Sequence, residues 1–158
     1  MFEISREYKF SAAHRLEGHP KCGRLHGHNY KVVLHLSSNT LDEMGFIMDF
    51  GDVDEHIKPL IDQMDHMYLS SLSNAQANDP YSQIASDRGE IFKFPAQDST
   101  AEWMASVFHA HVMNSIRGSG DPISIRAFIE VWETDRNRAI YRPPHVEYTI
   151  TETGRVSP

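Results

Sequence analysis

Cys22-Gly23-Arg24-Leu25-His26-Gly27-His28-Asn29-Tyr30 is the stretch from which the rest of the chain can be read. It sets two of the ten histidines one residue apart, just after the single cysteine. On an extended strand, side chains at i and i+2 point to the same face. His26 and His28 can therefore grip one metal ion together if the backbone after Leu25 is extended. Gly27 leaves the opposite face bare, so that something can approach closely there. The extended pattern continues through residues 28–37, with Tyr30, Val32, Leu34 and Leu36 on one side.

Upstream, residues 2–13 alternate in the same way. Phe2, Ile4, Tyr8, Phe10 and Ala12 share a face that Arg6 interrupts, and His14 closes the segment. No crossover helix separates the two segments, so they are expected to pair antiparallel. A hairpin of that kind brings the end of its first strand beside the start of its second. His14, His26 and His28 then converge, and three histidines with one open position make the ligand set of a catalytic zinc site. Imidazole also suits other first-row metals. His109-Ala110-His111 has the same spacing, but it falls in a helical pattern, where i and i+2 diverge. His19, His35, His56 and His145 read as packing or surface residues.

Downstream, Phe46–Phe50 is a short apolar run. Asp52, with Glu55 three residues on, reads as the N-cap of a helix that carries Val53, Ile57, Leu60, Ile61 and Met64 on one stripe. Pro59 lies inside that pattern and predicts a kink or a late start. Residues 70–98 are rich in Ser, Asn, Asp, Gln and Pro and read mainly as a long irregular connection, with one short strand at 90–94. Ser99 and Glu102 form a capping box for a helix whose stripe is Trp103, Met104, Val107, Phe108, His111 and Val112, with Gly118 as its stop. Residues 123–133 alternate again, and the acid Glu133 ends their apolar face. Short strands are expected at 139–142 and 145–150, and the tail from Thr151 reads as weakly ordered. The order is β-β-α-α-β-β: one α+β domain over 1–158, an antiparallel sheet with two helices on one face.

Composition excludes several classes. With 15 Lys+Arg against 22 Asp+Glu, a formal net charge of −7 suits neither nucleic acid nor any partner that requires broad phosphate neutralisation. One cysteine cannot make an internal disulfide, which points to a reducing compartment. The start Met1-Phe2-Glu3-Ile4-Ser5-Arg6 lacks the pattern of a signal peptide, and no apolar run reaches the roughly 18 residues that span a bilayer. The expectation is a cytoplasmic protein with no membrane partner.

Three further groups carry chemistry. Cys22 is flanked by Lys21 and Arg24 at a distance of one or two residues, and positive charge beside a thiol favours the thiolate. It is a base or nucleophile, or else a ligand of a closed Cys-plus-His structural site. Asp65-His66 is either a carboxylate orienting an imidazole for proton transfer or a polar helix end. Glu133 either takes two parallel hydrogen bonds from a planar N–H pair of a ligand or forms an ion pair with Arg126, Arg136 or Arg138.

Taken together, these pieces resemble the 6-pyruvoyl-tetrahydropterin synthase superfamily, and within it the bacterial 6-carboxy-tetrahydropterin synthases. The resemblance rests on Phe10-Ser-Ala-Ala-His14-Arg-Leu16, Cys22 through Tyr30, Gly45-Phe-Ile-Met-Asp-Phe50, Leu60 through Leu69 with Asp65-His66, Ser99-Thr-Ala-Glu102 and Glu133-Thr134, in family order. It implies the tunnelling fold (T-fold), assembled through sheet edges into a homohexamer, a dimer of trimers, with active sites between subunits. It also implies zinc held by His14, His26 and His28, Cys22 as the catalytic thiol, Asp65 and His66 as its relay, and Glu133 as the anchor of the pterin ring. Thr100 matches a threonine that helps to hold the pterin.

The implied reaction converts 7,8-dihydroneopterin triphosphate to 6-carboxy-5,6,7,8-tetrahydropterin, acetaldehyde and triphosphate, on the way to queuosine and other 7-deazaguanines. The short Cys22-to-His26 spacing favours this branch, whereas Glu133-Thr-Asp-Arg-Asn137 resembles the pyruvoyl-forming branch. A non-catalytic pterin- or metal-binding module is the alternative of another class. Lys21, Arg15 and Arg24 are candidates for the triphosphate. The 73–98 stretch is longer than in bacterial members of the family, and the tail after Pro144 is additional.

Overall fold

The two alternating segments pair along their whole length. Strand β1 (Phe2–His14) and strand β2 (His26–Ser38) form an antiparallel hairpin that runs from Phe2 opposite Ser38 to His14 opposite His26. The structure is a computed structural model. It describes residues 1–71, 79–95, 99–119 and 124–143, and the backbone of 149–150 and 156–157. Apolar residues on one face of the hairpin, among them Tyr8, Phe10, Ala12, Tyr30, Val32, Leu34 and Leu36, are buried. That face is covered by helix α1 (Phe50–Met64) and, further along the chain, by helix α3 (Ala101–Ser119). Phe10 stacks on Tyr30 at 4.9 Å between ring centroids and meets Phe108 of α3 at 6.3 Å.

Beyond β2 the sheet continues antiparallel through β5 (Arg126–Trp132) and β6 (Arg138–Tyr141). On the other side of β1 the expected irregular segment is partly regular. Strand β3 (Tyr68–Ser71) pairs parallel with Ala13 and His14, helix α2 spans Pro80–Arg88, and strand β4 (Ile91–Phe94) pairs parallel with β3. The six-stranded order is β4-β3-β1-β2-β5-β6. The α+β class and the tunnelling architecture hold, but the sheet is mixed rather than antiparallel, and the described residues contain a third helix. The expected short strand at 90–94 is β4.

Parallel register puts Tyr68 and Ser70 on the Ala13 face, away from α1 and α3, and α2 packs there: Ser70 and Ser82 share a hydrogen bond of 2.8 Å. Leu69 points into the main core. All four residues of β3 are therefore buried, with no alternation for a sequence reading to catch. The signals for α2 were local: Asp79 as N-cap, Pro80 at the first helical position, and Gly89 at φ 71° as the stop.

Helix starts also differ from expectation. α1 begins at Phe50, with Asp49 as its cap, accepting from the Gly51 N–H at 2.7 Å, and Asp52 lies inside the first turn. The helix runs on through Pro59. Thr100, not Ser99, caps α3: its Oγ1 accepts from the Trp103 N–H at 3.2 Å. Glu133 lies just beyond β5 rather than on its buried face. The pairs Thr149–Ser157 and Ile150–Val156 join β7 (Thr149–Ile150) to β8 (Val156–Ser157). Residues 144–148, including His145, and 151–155 of the expected tail lie outside the described residues.

Gly27 has a local reason of its own. A Cβ built there would lie 2.9 Å from the Ala12 carbonyl oxygen, closer than real side chains approach. The close approach foreseen at this residue is made by the neighbouring strand.

Phe108 is fully buried and Ile84 of α2 is 60% exposed. Phe108→Ala should therefore cost about 3–5 kcal/mol, read from the midpoint of urea unfolding. Ile84→Ala should stay within about 0.5 kcal/mol.

Candidate metal centre and the adjoining cavity

The hairpin register alone brings the three histidines together. His14 faces His26 across the strands, and His28 lies two residues along on the same face, opposite Ala12. Ring centroids are 4.5 Å apart for His14–His26 and 5.1 Å for each of the other two pairs. One nitrogen from each ring lies within 4.8 Å of the others, close enough to hold a single metal ion.

The remaining nitrogens are engaged by main-chain oxygens. His14 Nδ1 sits 3.0 Å from the Ser99 carbonyl and 3.1 Å from Ser99 Oγ, and His26 Nδ1 sits 2.7 Å from the Arg24 carbonyl. The His28 ring bonds the Glu133 backbone. A carbonyl only accepts, so Nδ1 of His14 and of His26 carries the proton and Nε2 keeps its lone pair. His14 Nε2 is buried and has no partner among the described residues. A buried nitrogen left unpaired is costly unless something else occupies it. A metal ion coordinated by Nε2, with the other nitrogen donating outward, is the arrangement that satisfies it. Burial pushes the His14 imidazole down to about 4 and also lowers His28, so both rings are neutral at pH 7, the form that can ligate a metal. The donor set therefore fits a divalent metal such as zinc. Tyr30, whose buried hydroxyl is pushed up by burial, closes the inner side with its ring 5.3 Å from that of His28.

Cys22 is half-buried in the turn between the strands. Its N–H donates to His19 Nδ1 at 2.9 Å, and its carbonyl accepts from Leu16 N at 2.8 Å. Among the described residues the metal-capable group is the three histidines without the thiol, so nothing here builds a closed Cys-plus-His site.

Asp65 and His66 end α1. Asp65 Oδ1 accepts from the Ser11 N–H at 2.9 Å and lies 3.0 Å from His66 Nδ1. The Ser11 N–H, with His66 behind it, holds this carboxyl below its usual range against the opposing effect of burial. His66 adopts φ 61°, the left-handed region that a side chain rarely takes, and its N–H donates to the Ser11 carbonyl at 2.6 Å. The dipeptide is thus tied to β1 by both backbone and carboxylate, with its imidazole 81% exposed. Glu133 makes no ion pair with Arg126, Arg136 or Arg138 among the described residues. Arg138 instead reaches Glu130 at 3.2 Å, and the Glu133 charge is felt by His28 and Tyr30. Thr100 spends its hydroxyl on the α3 cap.

A cavity of about 750 Å³ opens on the face opposite the core, between the hairpin and α2. His66, Gly27 and Asn29 line it, and His28 belongs to both the cavity and the histidine cluster. His66 and the metal-ligand candidate His28 thus line one cavity, and Cys22 is not among the residues that line it. Ser99 and the carbonyls of Arg24 and Glu133 could not be foreseen as supports of the cluster, since a main-chain oxygen has no sequence signature and Ser99 reads first as a cap.

Residues 3–144 match the family model described as 6-pyruvoyl tetrahydropterin synthase. The chain is 30% identical over 147 residues to the 6-carboxy-5,6,7,8-tetrahydropterin synthase of Haemophilus influenzae, covering 90% of this chain and 99% of that one. It is 28% identical over 163 residues to the Aquifex aeolicus protein of the same name, covering 89% and 98%. Among solved structures, it resembles an uncharacterized Wolinella succinogenes protein with a TM-score of 0.74 at 20% identity, covering 90% and 98%. It also resembles Plasmodium falciparum 6-pyruvoyl tetrahydropterin synthase with a TM-score of 0.68 at 22% identity, covering 89% and 96%.

The His14 imidazole drops from 6.5 to about 4 on folding, so below 6.5 the unfolded chain takes up the proton first. The stability tied to keeping His14 neutral is complete above 6.5 and is lost as the pH falls towards 4. In chelator, acidification across that window should destabilise the wild type by on the order of 3 kcal/mol more than His14→Gln. Urea midpoints at several pH values would read the difference, and parallel pH profiles would refute it.

Proposed function

We infer the function from the premise that this chain belongs to the 6-pyruvoyl tetrahydropterin synthase family, and propose that it is a zinc-dependent 6-carboxy-5,6,7,8-tetrahydropterin synthase. It would convert 7,8-dihydroneopterin triphosphate and water to 6-carboxytetrahydropterin, acetaldehyde and triphosphate. The observation that carries this reading is the three-histidine cluster, with its outward nitrogens tied to the main chain and the buried Nε2 of His14 left for a metal. Near-full-length similarity to proteins bearing that name supports the choice of reaction.

The roles follow from the chemistry of each group. His14, His26 and His28 would hold the zinc, which would supply Lewis acidity for the side-chain oxygens of the substrate. Asp65, kept ionised, orients the His66 imidazole and stabilises its charged form, so that His66 can donate and recover a proton. Cys22 and His66 would move protons between carbon and oxygen, so that triphosphate leaves and the carbon–carbon bond then breaks. Glu133, which makes no ion pair with Arg126, Arg136 or Arg138 among the described residues, would accept the paired N–H groups of the pterin at its 2-amino and N3 positions, and Thr100 would help to hold the ring.

Cys22 is absent from the lining of the cavity that His66 borders, which supports a second subunit completing each site. From Phe2 to Phe10, β1 has no strand on its outer side among the described residues, and such an edge accepts a strand from another copy. This supports assembly through sheet edges into a homohexamer. A cytoplasmic location is part of this proposal; no described helix is long and apolar enough to cross a membrane.

The deciding experiment is a turnover assay on 7,8-dihydroneopterin triphosphate, with metal content measured on the same sample. Acetaldehyde release with about one zinc per chain is expected. Triphosphate release without acetaldehyde would move the protein to the pyruvoyl-forming branch, and no turnover with metal bound would favour a binding module. Cys22→Ala should abolish turnover while zinc content holds, whereas loss of metal would make the thiol a ligand. Glu133→Gln should raise KM by about 10- to 100-fold, the range of a lost charge-assisted bond, with zinc retained. An unchanged KM would remove Glu133 from the pterin pocket.

A further inference from the structure

The cavity beside the metal centre has one permanent cation in its described lining, Arg88, at the end of α2. Tyr81, Ile84, Ala85 and Arg88 all face it. Their spacing of i, i+3, i+4 and i+7 makes them a single stripe of the helix. α2 thus forms one wall, apolar along most of its length and cationic at its end.

That wall is fixed with respect to the histidine cluster. Asp79, the buried N-cap of α2, takes Arg15 Nη1 at 2.9 Å, the Tyr68 hydroxyl at 2.9 Å and the Ser82 hydroxyl at 3.0 Å. Arg15 follows the metal-ligand candidate His14 directly, so the clamp ties the helix to the end of β1. The same clamp commits Arg15, a sequence-level candidate for the triphosphate, to a buried carboxylate. Lys21 and Arg24, the other two candidates, do not line the cavity.

Arg88 is differently placed. Its Nε meets Glu90 Oε2 at 2.8 Å, and both side chains are more than half exposed. An ion pair this open to water contributes little and exchanges readily. Phosphate offers a guanidinium a bidentate, more highly charged partner than a carboxylate does. Glu90 lines the cavity too, so its charge would repel phosphate wherever Arg88 did not offset it.

We propose that Arg88 is a phosphate-reading residue of this enzyme, exchanging Glu90 for the triphosphate chain of the substrate, while the apolar stripe of α2 covers the flank of the cavity. This rests on the pterin triphosphate reading above and names the group that recognises the anionic end of that substrate. Arg88 stands at the C-terminal end of α2, one turn beyond Ile84 and Ala85 on the wall that faces the cavity.

The test uses zinc-loaded protein, with inorganic tripolyphosphate titrated by calorimetry and the metal content checked after each run, beside steady-state kinetics on dihydroneopterin triphosphate. Arg88→Gln should raise both the tripolyphosphate Kd and KM by about 10- to 100-fold, the range of a charge-assisted hydrogen bond, and leave kcat within about twofold. Arg88→Lys should recover part of the loss. Glu90→Gln should leave Kd unchanged or lower it, because it releases Arg88. Equal tripolyphosphate binding by wild type and Arg88→Gln, or no binding by either, would overturn the assignment. So would a Glu90→Gln variant as impaired as Arg88→Gln, which would make the pair structural. A wild type that binds tripolyphosphate through Arg88 but fails to turn over the pterin would instead count against the proposed reaction.

Discussion

The register of β1 against β2 is the constraint on which the rest depends. Side chains on a strand alternate faces, so a slip of one residue would turn His26 and His28 away from His14 and expose Tyr30, Val32, Leu34 and Leu36 in the same movement. Burial of those apolar residues under α1 and α3 therefore also fixes the histidines. The cluster is held by the packing energy of the core rather than by contacts of its own. Its three rings add little beyond the hydrogen bonds that orient them, two of which come from main-chain oxygens lying at the hairpin end or within the bonded turn after β5.

How much of this was legible in the sequence follows from which faces are buried. β1, β2, α1, α3 and β5 each bury one face against the same core and leave the other to a different environment, so their periodicity survives in the residues. β3 is buried on both faces in four residues, and α2 turns its stripe towards a cavity instead of the core, so neither carries a simple hydrophobic period. Asp52 reads as the α1 cap because Glu55 follows it at capping-box spacing, and Asp49, the cap in the structure, has no such partner. Burial of Ile47 and Met48 carries the chain into the core just before Asp49, and the helix begins directly after it.

The same reasoning divides the site. The three histidines were legible because strand geometry converts spacing into position. Asp65-His66 was legible as a pair, but its attachment to Ser11 through a left-handed backbone was not, since no residue type there announces it. Arg15 shows the opposite error. By charge alone it is a candidate for binding an anion, and its burial against Asp79 removes it from that role. A cation in a sequence counts towards recognition only after the folded chain has left it unspent.

Gly27 gives the fold an unusual failure mode. The space a side chain would need is filled from behind by the Ala12 carbonyl, so the residue between the two ligands is dictated by strand pairing and not by anything that binds. A larger residue there would push the strands apart at the loop end of the hairpin, where the rings sit, while the long paired stretch towards Phe2 and Ser38 stayed closed. Damage of that kind would show itself as leakage of the ion from a chain that still melts cooperatively. Metal loss and unfolding would then be separate events, and a defect at the loop end of the hairpin could pass unnoticed in any screen that scores thermal stability alone.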